Sequence, residues 1–157
     1  MGKSLDDRTH EKRIEVFEEM TGSMNDLPKI VAVDFDGTLV ESKFPAIGEP
    51  ITVMIDLCKQ LRNMGVKLIL WTCRDNDSPE KSLDAAVEFC AEQGLTFDAV
   101  NRNIPEVISL FHNDTRKVYA DLYLDDKATP PWQDPAYWSK CVGLSWNFAR
   151  KELIHGI

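Results

Sequence analysis

Two hydrophobic rhythms alternate along this chain. Short, nearly continuous apolar runs rich in valine and isoleucine mark strands buried on both faces. Between them, apolar residues recur at three- and four-residue intervals, the mark of amphipathic helices. The runs are KIVAVDF (29–35), VKLILWT (66–72), TFDAV (96–100) and KVYADLYLDD (117–126). After the first run, Met54, Leu57, Cys58 and Leu61 share one face of a helix predicted over 51–64, with Gly65 as its C-cap. Ser78-Pro79-Glu80 predicts the start of the next helix, with serine as N-cap and proline at the first helical position. Leu83, Ala86, Val87 and Cys90 form the inner face of that helix, and Gly94 ends it. A shorter helical segment is expected over 105–111. Further on, Asp134-Pro135 opens a last short helix and CVGLSW (141–146) adds a final strand.

Strands alternating with helices predict an α/β fold: a three-layer α/β/α, Rossmann-like sandwich with a mostly parallel sheet covered on both faces. Residues 28–157 then read as a single domain. Ahead of it, Ile14, Phe17 and Met20 fall on one face of a short amphipathic helix, so residues 1–27 read as an appendage. It either rests on the domain surface or pairs subunits. In open α/β sheets, ligands bind outside the carboxyl ends of the strands, so the strand ends are the places to look for chemistry.

The first strand ends in Asp34-Phe35-Asp36-Gly37-Thr38 and the second in Thr72-Cys73-Arg74-Asp75. The fourth is preceded by Arg116-Lys117 and closes on Asp125-Asp126-Lys127. In a parallel sheet, Asp34, Asp36, Thr72, Asp125 and Asp126 gather at one edge. Two carboxylates about 4 Å apart repel by roughly 4 kcal/mol at an effective dielectric near 20, so such a cluster calls for a cation. A hard divalent ion such as Mg²⁺ takes one or two carboxylates, a backbone carbonyl and waters, and keeps room for a phosphate oxygen. An EF-hand calcium loop starting at Asp34 would want glycine at its sixth position and glutamate at its twelfth, where Leu39 and Pro45 stand. The neighbouring groups suit phosphoryl chemistry: a carboxylate nucleophile, a hydroxyl and an ammonium for the phosphoryl oxygens, and a second carboxylate for proton transfer.

VDFDGTLV, LILWTCRD and LYLDDK, in that order, resemble the haloacid dehalogenase superfamily of phosphotransferases, over roughly residues 29 to 127. Together with ESKFPAIGEPI, AVNRNIPE and RKVYADLYLDD, they are most similar to small capless members of bacteria and phages. The resemblance implies a haloacid dehalogenase-like fold in which Asp34 is nucleophile and metal ligand. It implies that Asp36 is the general acid and base, with its backbone carbonyl on Mg²⁺. Thr72 and Lys117 would bind the phosphoryl group, with Arg116 as the alternative to Lys117. Asp125 would bind Mg²⁺ directly, and Asp126 through water or by orienting its neighbour. Arg74 and Asn101, after strands two and three, are expected to border the pocket as substrate contacts.

Composition sharpens the expectation. The 157 residues carry a formal net charge of −8, which disfavours nucleic acid as a partner. Cys58, Cys73, Cys90 and Cys141 sit singly, as expected of reduced thiols in a cytoplasmic protein. The first twenty residues have no signal-peptide core, and no apolar run approaches membrane-spanning length. The interval from Thr38 to Thr72 holds one loop and one helix, and the stretch after strand three is equally short, so no sizeable cap is expected. The leading expectation is a Mg²⁺-dependent phosphatase for a small phosphorylated metabolite, its open site covered, if at all, by a second copy in a homo-oligomer. The alternatives are a polynucleotide 3′-phosphatase, which would need a basic groove, and a non-catalytic phosphate-binding or assembly module.

Overall fold

The computed structural model describes residues 5–20 and 27–128, with side chains from Thr9 onward. Eight elements follow in chain order: α1 (Leu5–Met20), β1 (Ile30–Val33), α2 (Thr52–Asn63), β2 (Lys67–Leu70), α3 (Ser82–Glu92), β3 (Ala99–Val100), α4 (Pro105–Phe111) and β4 (Leu122–Leu124). The four strands form one all-parallel sheet in the order β3-β2-β1-β4. Val33, the last residue of β1, is in register with Leu70 on one side and Leu124 on the other, so three strands end level.

The apolar alternation of β1 serves two cores. Val31 and Val33, with Leu68, Leu70 and Leu124, pack against Met54, Leu57, Cys58 and Leu61 of α2 and Ala86 and Cys90 of α3. Ile30 and Ala32, with Ile69 and Ala99, face Ile104 and Val107 at the start of α4 and Val118 and Ala120 before β4. Helices therefore cover both faces of the sheet, as the patterning predicts. The leading helix rests on the second face: Phe17 meets Phe111 edge-on at 5.3 Å and Tyr119 at 4.7 Å, and Met20 packs against the second core. Among the described residues no helix is long and apolar enough to cross a membrane.

Helix α2 ends as its sequence indicates. Gly65 adopts φ +86°, and the N–H groups of Gly65 and Val66 donate to Arg62 O (2.9 Å) and Leu61 O (3.0 Å), the paired bonds of a Schellman motif. Buried Val66 then continues directly into β2. Helix α3 closes through the same two bonds, onto Ala91 O and Cys90 O.

Three boundaries depart from expectation, the first being β3, which is expected over 96–100 and spans only Ala99–Val100. Helix α3 starts at Ser82, not at Pro79: Lys81 N–H donates back to Ser78 O (3.0 Å), and Lys81 takes a left-handed φ of 44°. Ser78–Lys81 is thus a turn, a setting whose second position suits the fixed φ of proline as well as a helix start does. Strand β4 spans only Leu122–Leu124: Asp121 N–H still donates to Ile30 O (2.8 Å), but ahead of it side chains take the backbone groups of Tyr119 and Ala120. Tyr119 N–H donates to Asn103 Oδ1 (2.7 Å), and Asp121 Oδ2 accepts from the N–H groups of Lys29 and Ile30. The predicted helix at Asp134-Pro135 and strand at 141–146 lie outside the described residues.

The connections from β1 to α2 and from β3 to α4 contain no cap domain; the first holds only a small hairpin closed by the Val40–Pro50 bridge. Gly65 offers a clean test of the C-cap reading, since an added Cβ there would meet no atom of the described residues within 4 Å. Gly65→Ala is expected to lower the unfolding free energy by about 1 kcal/mol, through backbone conformation alone, as measured by urea denaturation.

Candidate active site

The strand order reverses between β1 and β4: the chain leaves β1 toward β2 and β3, then returns to β4 on the opposite side. Such a switch point opens a crevice at the carboxyl ends. Asp34 begins that crevice. Its N–H donates to Leu124 O (2.8 Å), which draws the exits of β1 and β4 together. Asp34, Asp125 and Asp126 then offer carboxylate oxygens that all lie within 4.8 Å of one another. Burial, followed by the negative charge of Asp125 and Asp126, pushes the Asp34 carboxyl up from 3.8 to about 7, against the lowering effect of the Phe35 backbone N–H.

The Asp-Gly-Thr sequence builds the floor of this cluster. Thr38, fully buried, donates through Oγ1 to Asp34 Oδ2 (3.4 Å) and accepts from Asp126 N–H (3.1 Å), so one hydroxyl joins both strand ends. Gly37 has φ +87°, and a Cβ there would stand 2.4 Å from Asp126 Oδ2; glycine is required by both backbone conformation and space. Asp126 Oδ1 is buried, and among the described residues it has no hydrogen-bond partner. A buried carboxylate oxygen without a donor, beside two further carboxylates, fits a hard cation with oxygen ligands. The candidate holders are Asp34, Asp125 and Asp126.

Asp36, the fourth expected acid, stands apart from this cluster. Its carboxylate makes a two-point pair with Arg74, Nε to Oδ2 at 2.8 Å and Nη2 to Oδ1 at 2.7 Å. This corrects the expectation for Arg74. The residue is 2% exposed, and its remaining donors are spent on backbone carbonyls, so it is no open substrate contact. Asn101 is half-buried beside it. Held at φ 51°, it accepts from Thr72 N–H through Oδ1 (2.8 Å) and donates to Arg74 O through Nδ2 (3.2 Å), which staples the loop after β2. Thr72 Oγ1 accepts from Arg74 N–H (3.1 Å) and keeps its own proton to donate.

Lys117 is exposed, its ammonium 5.6 Å from the Tyr123 ring centroid. Among the described residues no ion pair joins Lys117 or Arg116 to the three aspartates. The ammonium that does reach them is that of Lys127, 3.4 Å from Asp126 Oδ2 on a side chain 82% exposed. Thr38 and Lys127 are the site residues that motif reading passed over. Thr38 closes the first acidic motif and Lys127 directly follows the last, which is the sequence signal that marks them.

No protein-family model matches the chain, and no curated protein matches it. The solved structure of a conserved protein coded by a locus of Bacteroides thetaiotaomicron is 36% identical to this chain, covering 75% of it and 93% of that protein, with a TM-score of 0.59. At that identity and coverage the two chains belong to one family and share the parallel α/β architecture.

The raised Asp34 carboxyl sets a pH dependence. Without a divalent cation, its contribution is fully present below about pH 4, where folded and unfolded chains both hold the proton. It is lost as pH rises through about 7, where the folded chain must release it beside two negative charges. Thermal melts in chelator across this range are expected to show that fall, and Asp34→Asn to flatten it. A flat wild-type curve would contradict the electrostatics assigned here.

Proposed function

We propose that this chain is a Mg²⁺-dependent phosphomonoesterase of the haloacid dehalogenase type, working through a phosphoaspartate on Asp34. The supporting observation is the meeting of Asp34, Asp125 and Asp126 at the β1–β4 switch point, with one buried carboxylate oxygen that has no donor among the described residues. Mg²⁺, held by these three, would supply the positive charge that lets a phosphate dianion approach carboxylates.

The residues then divide the work. Asp34 attacks phosphorus, the ester P–O bond breaks, and the departing alkoxide takes a proton from Asp36. Water next attacks the phosphoaspartate; the bond from phosphorus to Asp34 breaks, the carboxylate is restored, and the proton of the water passes to Asp36. Thr72 donates its hydroxyl to a phosphoryl oxygen. Lys117 is the lysine that the family resemblance assigns to the same group, while Lys127 stands beside the cluster and can meet the incoming anion. Among the described residues no cap domain lies between β1 and α2, and a second copy of the chain would cover the crevice. The net charge of −8 favours a small phosphorylated metabolite of the cytoplasm over a polynucleotide.

Mg²⁺-dependent phosphate release from an aryl phosphate, from a panel of small phosphate monoesters and from a 3′-phosphorylated oligonucleotide tests this reading. Wild type is expected to turn over small esters and Asp34→Asn to fall to background. Equal rates for the two, or none across the panel, would sink it. Because the Asp36 carboxylate lies on Arg74, Asp36→Asn is expected to slow turnover by roughly a hundredfold or more while Mg²⁺ binding, followed by calorimetry, persists.

A further inference from the structure

A fully buried arginine is costly unless its donors are met, and here they are met from three segments of chain. Nε and Nη2 hold the two oxygens of Asp36 at 2.8 and 2.7 Å. Nη2 also reaches Ala46 O at 2.7 Å, and Nη1 reaches Pro45 O at 3.0 Å and Ser82 O at 3.5 Å. The guanidinium carbon lies 4.9 Å from the Phe35 ring centroid and 5.3 Å from that of Phe44. Arg74 thus fastens the loop after β1, the tip of the 40–50 hairpin and the start of α3 to one another.

An apolar side chain could fill the same space between two phenylalanine rings. What it could not do is hold a carboxylate by both oxygens. A two-point guanidinium pair fixes the plane of the carboxylate and occupies two of its four lone-pair positions, leaving the outer two open. The exposures agree with that division, with the Arg74 side chain 1% exposed and that of Asp36 19%. Asp36 is therefore an acid held from behind, with a free edge.

We infer that Arg74 is a positioning residue for proton transfer, holding Asp36 so that its free edge receives the proton of the water that attacks the phosphoaspartate. In that step the oxygen of water bonds to phosphorus, the Asp34–phosphorus bond breaks with its electrons returning to Asp34, and the released proton goes to Asp36. The inference rests on the phosphatase reading. Lysine is no substitute, because one ammonium cannot reproduce the fork that meets both oxygens.

Rapid-quench kinetics on an aryl phosphate test this. Its leaving group departs with little help, so forming the phosphoaspartate needs Asp36 less than hydrolysing it does. Arg74→Met is expected to release the first equivalent of aryl alcohol at close to the wild-type rate and then turn over at least about tenfold more slowly. Phosphorylated protein should accumulate by intact mass. Asp36→Asn should show the same pattern, and the double variant should be no slower than Asp36→Asn alone. If Arg74→Met does not fold, Arg74→Lys is read by the same criteria. Loss of both phases in proportion, or no change in either, would overturn the positioning role while leaving the phosphatase reading intact. Absence of wild-type turnover would remove the phosphatase reading itself, and this inference with it.

Discussion

Carboxylates at the ends of neighbouring parallel strands repel one another, and the upper edge of this sheet is arranged around that repulsion. Asp34, Asp125 and Asp126 are brought within 4.8 Å by the register of β1 with β4, which apolar burial on both faces enforces. The fold cannot separate them without slipping a strand, and a one-residue slip would exchange the residues that fill its two cores. The repulsion is therefore held in place by hydrophobic packing some residues away. It is eased locally by a proton on Asp34, by the Thr38 hydroxyl, or by a cation.

The same constraint accounts for the fate of the fourth acid. With Asp36 in the cluster there would be another negative charge to balance. Instead it turns to the guanidinium of Arg74, supplied from the end of β2. One crevice thus has two electrostatic compartments, a cluster of three acids and one acid paired with a buried guanidinium. Asp34 and Asp36 in this way stand two residues apart on one loop, one among the clustered carboxylates and the other on a cation of its own.

Much of this was legible in the sequence. The buried strands, the two long helices and their glycine ends follow from period and capping, because local bonds and burial decide them together. The acidic pairs at the ends of β1 and β4 could be assigned to one edge because parallel topology leaves them no other place. What escaped is decided by contacts distant in sequence. Ser78-Pro79 reads as a helix start until Lys81 takes a left-handed conformation and Asp75 O accepts from Leu83 N–H. Residues 117–121 read as strand until Asn103 and Asp121 take over their neighbours' backbone groups. Arg74 reads as a pocket cation because nothing local reveals that the hairpin carbonyls of Pro45 and Ala46 fold over it.

The seat of α1 bears on all of this from the opposite end of the sheet. Phe17 leans on Tyr119, whose hydroxyl donates to Asp121 Oδ1, and the other oxygen of Asp121 receives the N–H groups that open β1. The seam between β1 and β4 is buttoned at its foot by this relay as firmly as it is at its head. Trimming the leading helix would take away a buttress of that lower fastening, and the spacing of the acids at the far end would have one support fewer.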